Sequence, residues 1–221
     1  MGGMEEAGLS PFCRSLTVPV ALCRDFDDDR PFSADFTVEK STTDTLMVDS
    51  TRSLSSPRAL VSEVAPNSDS RAFMHRKFDG IRSSDIRLSF HVFIEVGAKQ
   101  AVRIAQIDAQ QGTRSEHSIE IYASVDGARL TEQFVSDAGV QNVDHEFAGF
   151  RPEVGRWAHI DILISGSTRR LTAVLDGHVV VDQKLRASWT PEETELALGV
   201  IFPNTGSPWR VWYDNIIYQL F

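Results

Sequence analysis

"WAHIDILISGSTRRLTAVLDGHVVVDQ" (residues 157–183) decides the fold. Ala158, Ile160, Ile162 and Ile164 alternate with Trp157, His159, Asp161 and Leu163. Successive side chains of a strand point to opposite faces, so a period of two marks a strand with one face buried. "ISGSTRRL" then turns about Gly166, and "VLDGHV" places Asp-Gly between two apolar runs, a strong hairpin signal because glycine takes positive φ freely. Residues 157–164, 170–175 and 178–183 are therefore expected to form a three-strand antiparallel meander.

The same period recurs upstream. "RLSFHVFIE" (87–95) sets Leu88, Phe90, Val92 and Ile94 against Ser89, His91, Phe93 and Glu95. "HSIEIYAS" (117–124) sets Ile119, Ile121 and Ala123 against Ser118, Glu120, Tyr122 and Ser124. "SVDGAR" supplies a second Asp-Gly turn. Weaker strands are expected near 45–49, 58–64, 71–78, 101–107, 130–135, 195–202 and 210–219. "TPEETELAL" (190–198) reads either as a short helix or as a turn leading into a strand. Eleven or twelve strands, many with apolar groups on both faces, require two stacked sheets. The length, 221 residues, suits one all-β domain over 21–221 behind an N-terminal arm, 1–20. Long strands with loops of varied length favour a jelly roll over an immunoglobulin-type sandwich.

Charge and composition narrow the function. Acids outnumber bases 31 to 22, for a net charge of −9, whereas a phosphate backbone calls for a basic surplus. Nucleic acid is therefore not an expected partner. No apolar run approaches the ~18–20 residues of a membrane-spanning helix. "MGGMEEAGLSPF" lacks a signal-peptide pattern. Its first three residues read as a cloning remnant, with a native export signal removed. Cys13 and Cys23 form no C-x-x-C pair and no zinc spacing with histidine. A disulfide joining the arm to the first strand is expected over two buried thiols, and it implies an oxidising compartment: extracellular, periplasmic or cell-surface.

Several stretches taken as a set resemble a concanavalin A-like (laminin-G-like) jelly roll of bacterial secreted proteins. They are "CRDFDDD", "SLSSPRAL", "GRWAHIDI", "AVLDG", "ALGV" and "WYDNIIYQL", and they span 21–221. The resemblance implies an all-β, two-sheet antiparallel sandwich with a concave ligand face. It also implies that certain catalytic patterns should be sought. Glucanases of that fold carry Glu-x-Asp-x-x-Glu on one strand, which does not occur here. Glu116 and Glu120 share a strand face but lie about 13 Å apart at ~3.3 Å per residue, too far for a carboxylate pair. Alginate lyases of the group carry Gln-Ile-His, where this chain has Gln106, Ile107 and Asp108, and their Tyr-x-Lys stretch is missing. Gly-x-Ser-x-Gly, His-Glu-x-x-His and a phosphate loop are absent as well.

The expected ligand-binding set is His91, Glu95, Gln106, Asp108, Glu120 and Tyr122 on the concave face, with Trp209 as an exposed stacking platform after "GSP". The register of 101–107 can be read either way. The acidic stretch "CRDFDDDR" places Asp25, Asp27 and Asp29 as in an EF-hand, but Arg30 and Phe36 stand where glycine and glutamate belong. In the resembled class an Asp near the first strand and another on the last hold a structural calcium. Asp25, Asp27 and Asp214 match that arrangement, against the alternative of a solvated acidic turn. The leading expectation is a non-catalytic, exported module binding polysaccharide, cell-surface glycan or another surface ligand. The alternatives are a structural or interaction module of a surface assembly, and a divergent polysaccharide lyase or glycoside hydrolase.

Overall fold

The computed structural model describes residues 11–66, 69–79, 84–111, 115–137, 139–147, 152–201 and 206–221. The first ten residues of the expected arm, and residue 202 at the end of one expected strand, lie outside them. A single helical turn, α1 (Pro11–Arg14), is followed by β1 (Leu22–Arg24), β2 (Thr37–Lys40), β3 (Thr45–Asp49), β4 (Ala59–Val64) and β5 (Ala72–Asp79). Next come β6 (Asp85–Val96), β7 (Val102–Gln111), β8 (Ser115–Ser124), β9 (Gly127–Ser136) and β10 (Gly139–Glu146). The chain closes with β11 (Trp157–Ser165), β12 (Arg170–Leu175), β13 (His178–Lys184), β14 (Glu193–Ile201) and β15 (Trp209–Leu220).

These strands form two antiparallel sheets. The first runs β13-β12-β11-β6-β15-β4-β3, with β1 also paired to β15. The second runs β10-β9-β8-β7-β14-β5-β2. The expected meander is present, with Ile162 opposite Ala173 and Thr172 opposite Asp182. The alternations sort as their period dictates: Leu88, Phe90, Val92 and Ile94 are buried with Ala158, Ile160, Ile162 and Ile164 in one shared core. Tyr213 and Tyr218 cross that core from the first sheet to the second. Tyr213 donates to the Ile104 carbonyl and Tyr218 to Thr194 Oγ1, each at 2.9 Å. The all-β, two-sheet expectation holds.

One open reading is decided, one turn forms as expected and another shifts. Residues 190–198 form no helix: β14 starts at Glu193 and pairs with strands on both sides, so ladder bonding and burial override helix propensity. In "VLDGHV" the Asp-Gly turn forms as expected, with φ of 49° at Asp176 and 82° at Gly177. In "SVDGAR" the expected hairpin also forms, but its turn residues are Val125 and Asp126. There Gly127 already belongs to β9, opposite Ser124, and the turn is held by Ser124 Oγ, which accepts from the Asp126 and Gly127 amides at 3.2 and 3.1 Å. A positive-φ glycine is needed instead at Gly199 (φ 131°), where a Cβ would lie 2.4 Å from the Ala72 carbonyl oxygen. It sits at an irregularity in the β14–β7 pairing.

Candidate functional site

Leu196, Ile107 and Met74 turn into the core, so their strand neighbours form the outer face of the second sheet. Cross-strand register then lays residues out in rows. One row reads Thr37, His75, Ala197, Gln106, Glu120, Thr131 and Asp144. The next reads Lys77, Glu195, Asp108, Ser118, Gln133 and Asn142. On the other side of the first row, Tyr122 pairs with Arg129 and Arg129 with Glu146.

Hydrogen bonds join these rows. Gln106 Nε2 donates to both oxygens of Asp108, at 2.6 and 2.7 Å, and Gln106 Oε1 accepts from Arg103. Arg103 also pairs with Glu120 at 2.8 Å, and the Tyr122 hydroxyl donates to the other Glu120 oxygen at 2.9 Å. The guanidinium of Arg129 stands 4.6 Å from the Tyr122 ring centre, and that of Arg103 5.7 Å. Thr131 donates to Asp144 at 2.6 Å. Farther along, His75 Nδ1 lies 2.6 Å from Glu195 Oε1, with Lys77 Nζ 3.7 Å from Glu195 Oε2. A cavity of about 180 Å³ opens at one end, lined in part by Tyr122, Ser124, Arg129 and Glu146. Burial pushes the Asp108 carboxyl up to about 7. The Gln106 bond opposes the rise, and the negative charges of Glu116, Glu195 and Glu120 add to it. Burial likewise raises the Tyr122 hydroxyl.

Four expected site residues, Gln106, Asp108, Glu120 and Tyr122, thus share one face. Three do not join them. His91 and Glu95 lie on β6 in the first sheet and turn to that sheet's outer face. Parity names a face of a strand but not the sheet to which the strand belongs. His91 stacks on His159 at 4.6 Å, and burial, then the His159 charge, lowers it to about 4. Glu95 accepts from the Trp212 indole at 2.6 Å. Trp209 is fully buried at the start of β15 and packs on Gly97, where a Cβ would come within 3.2 Å of the ring. It offers no exposed stacking surface. The reading missed His75, Arg103, Arg129, Thr131, Asp144 and Glu195. For His75 and Glu195 the signal was a period of two in "MHRK" on β5 and "TELAL" on β14, and Arg103 and Thr131 lie in the expected strands 101–107 and 130–135.

The acidic stretch is held by its own arginines. Arg24, 2% exposed, pairs with Asp28 at 3.0 Å and with Asp35 at 3.6 Å, and donates to the Arg30 carbonyl at 2.8 Å. Asp25 Oδ1 accepts from the Asp27 amide, and Asp27 Oδ1 from the Arg58 amide. Asp214 Oδ2 accepts from the Leu54 and Ser55 amides, both at 2.9 Å. Its Oδ1 accepts from the Ser55 hydroxyl at 3.0 Å and the Asn215 amide at 2.8 Å. Calcium binds oxygens that face it with lone pairs. At Asp214 those lone pairs face N–H and O–H donors, so this donor set does not fit the ion. Cys13 and Cys23 form a disulfide that ties α1 to β1.

No family model matches the chain, and no curated protein matches it in sequence. Solved structures do. An endo-β-1,4-glucuronan lyase from the fungus Trichoderma reesei superposes with a TM-score of 0.72 at 14% identity, over 92% of this chain and 96% of that one. The cellulose-induced protein Cip1 gives 0.66 at 15%, over 90% and 97%. A carbohydrate esterase from the Shiga toxin-encoding bacteriophage phi24B gives 0.61 at 11%, over 91% and 98%. At these identities the likeness defines the fold, a jelly-roll β-sandwich of the concanavalin type.

Proposed function

We propose that the chain is an exported glycan-binding jelly roll whose ligand face is the outer face of the second sheet. The observation that carries this is the network of Arg103, Gln106, Glu120, Tyr122 and Arg129, which spans neighbouring strands beside a cavity of about 180 Å³. Sugar hydroxyls need donors and acceptors fixed in advance, because each hydrogen bond made on binding replaces one to water. A rigid sheet bearing bonded polar side chains provides them without large ordering losses. The Tyr122 ring adds an aromatic element at the cavity wall. Three of the structural neighbours are described by names tied to polysaccharide or its breakdown, which supports the same reading. The disulfide supports export, since such bonds persist in oxidising compartments. Affinity electrophoresis against a panel of laminarin, mixed-linkage β-glucan, xylan, chitosan, glucuronan and alginate tests it. Retardation by at least one polymer is expected, lost in a folded Tyr122→Ala/Arg129→Ala variant. Unretarded migration in every gel would overturn the reading.

A further inference from the structure

The chain carries 31 acids and 22 bases, and most arginines among the described residues stand beside a carboxylate. One place departs from this. Where β12 begins and β13 ends, "STRRL" (167–171) lies against "DQKLR" (182–186). A cavity of about 400 Å³ opens there, lined by Thr168, Arg169, Arg170, Asp182, Gln183 and Lys184. That lining holds three cations and one carboxylate, on a chain of net charge −9. The one carboxylate is already engaged. Arg170 and Lys184 are register partners, and like charges directly opposite each other repel. Asp182 compensates Arg170, whose Nε and Nη2 donate to its two oxygens. Among the described residues, no carboxylate lies in ion-pair range of Lys184, of Arg169, or of Arg186 just beyond the cavity. Arg169 is fixed by main-chain carbonyls instead. Its Nη2 donates to the Leu185 and Arg186 carbonyls at 3.0 and 2.8 Å, and its own carbonyl accepts from the Leu185 amide at 2.7 Å. Carbonyl groups set the position of the guanidinium without cancelling its charge.

We propose that this cleft is a second binding site, for an acidic glycan, in which Arg169 and Lys184 take the anionic group and Thr168 and Gln183 hydrogen-bond the sugar that bears it. The anionic group is a sulfate ester, a phosphate ester or a carboxylate. Guanidinium and ammonium groups bind all three through charge-assisted hydrogen bonds, about twice as strong as neutral ones. A cleft lined by one sign of charge also focuses the field and raises the rate of capture. The volume lies in the range of sites that hold a small molecule. The excess charge is confined to one hairpin end, whereas a nucleic acid calls for a basic stripe along the duplex and a membrane surface for a broader polybasic cluster. A hydroxyl and an amide beside the cations match the hydroxyls of a sugar ring. The cleft sits on the edge strand of the first sheet, and the glycan face proposed above belongs to the second, so the two sites are independent.

Titration calorimetry of the full chain against dextran sulfate, alginate and uncharged dextran tests it, in low salt and in about 0.5 M sodium chloride. Tighter binding of dextran sulfate or alginate than of dextran is expected, and salt should weaken it. Dextran sulfate against alginate tells an ester oxyanion from a carboxylate, and either supports the cleft. Lys184→Gln/Arg186→Gln should weaken the acidic polymer about tenfold. Both side chains are exposed, and a melting curve establishes that the variant is folded. Tyr122→Ala/Arg129→Ala, on the other sheet, should bind the acidic polymer as the parent does. Three outcomes overturn the proposal: no acidic polymer held more tightly than dextran, equal affinity in the parent and the Lys184/Arg186 variant, or duplex DNA held more tightly than either acidic polymer. None of them touches the retardation of neutral polymers, on which the reading of the second sheet stands or falls separately.

Discussion

Asp108, half-buried, and Asp214, fully buried, are the same residue in opposite surroundings. Burial weakens both acids, Asp108 to about 7 and Asp214 to about 6. Asp214 meets four donors, three of them backbone amides, and they lock the 54–55 loop onto β15. Asp108 meets one side-chain amide and several carboxylates, on the outer face of the second sheet. What separates them is the count and kind of donors. A carboxylate saturated by backbone N–H groups is a structural clamp. One with a single amide donor, buried among like charges, is raised well above the usual carboxylate range.

Removing the clamp should have the largest effect. Asp214→Ala leaves the Leu54 and Ser55 amides without their acceptor, and each buried orphan donor costs about 1–3 kcal/mol. A loss on the order of 2–5 kcal/mol in urea unfolding is expected. Asp108→Ala, which orphans one flexible amide, should lose less. Equal losses at the two positions would erase the contrast.

The pH dependence of stability separates them next. The folded protein holds the Asp108 proton up to about pH 7, whereas an unfolded chain releases it near 3.8. Proton binding to the folded state therefore contributes stability that is full below pH 4 and lost as the pH rises through 7. Asp214, held up to about 6, and His91, lowered to about 4, titrate in overlapping windows, His91 with the opposite sign. The informative quantity is thus the difference between Asp108→Asn and the parent at each pH. It should shift in favour of the variant by roughly 2–3 kcal/mol between pH 4 and pH 8. A difference flat with pH would mean that Asp108 is not protonated at neutral pH.

The disulfide anchors the clamp side alone, since Cys23 on β1 directly precedes Arg24 and Asp25. Closing a loop of ten residues contributes roughly 2–3 kcal/mol in the chain-entropy model. Cys13→Ala/Cys23→Ala should lower stability by about that amount and leave polysaccharide retardation unchanged. A loss of binding would show that the two regions are coupled.

Period two made both sheets' inward faces legible, because alternation is a property of a single strand. Pairing partners are not. Nothing in "RLSFHVFIE" says that β6 joins β11 and β15, so His91 and Glu95 were grouped with residues of the other sheet. Gln106, Asp108, Glu120 and Tyr122 came out together because β7 and β8 are consecutive and paired. His75 and Glu195 reach the site from β5 and β14, which are far apart in sequence, and no periodicity says that they pair. The Asp214 clamp was half legible: its proximity to the acidic stretch is what the resemblance implies, since the first and last strands of that class are neighbours. That its partners are amide donors rather than an ion depends on the 54–58 loop, which has no period to read.

The smallest effect is expected from calcium. The resemblance to a concanavalin A-like jelly roll implies Asp25, Asp27 and Asp214 as a calcium set. The hydrogen bonds argue otherwise. An ion would have to turn Asp214 away from the Leu54, Ser55 and Asn215 amides and Asp27 away from the Arg58 amide. Its gain would be offset by four orphaned donors, each costing about 1–3 kcal/mol. Arg24 and Arg58 already compensate the charge of this stretch, Arg58 reaching the Asp28 carbonyl at 2.6 Å and Asp29 at 3.2 Å. Melting midpoints in excess calcium and in chelator should therefore coincide within error, and elemental analysis of the purified protein should find less than one calcium per chain. A rise in midpoint with calcium that disappears in Asp214→Asn would show that the clamp opens to take the ion, and the donor-count distinction between the two aspartates would then fail at its clearest example.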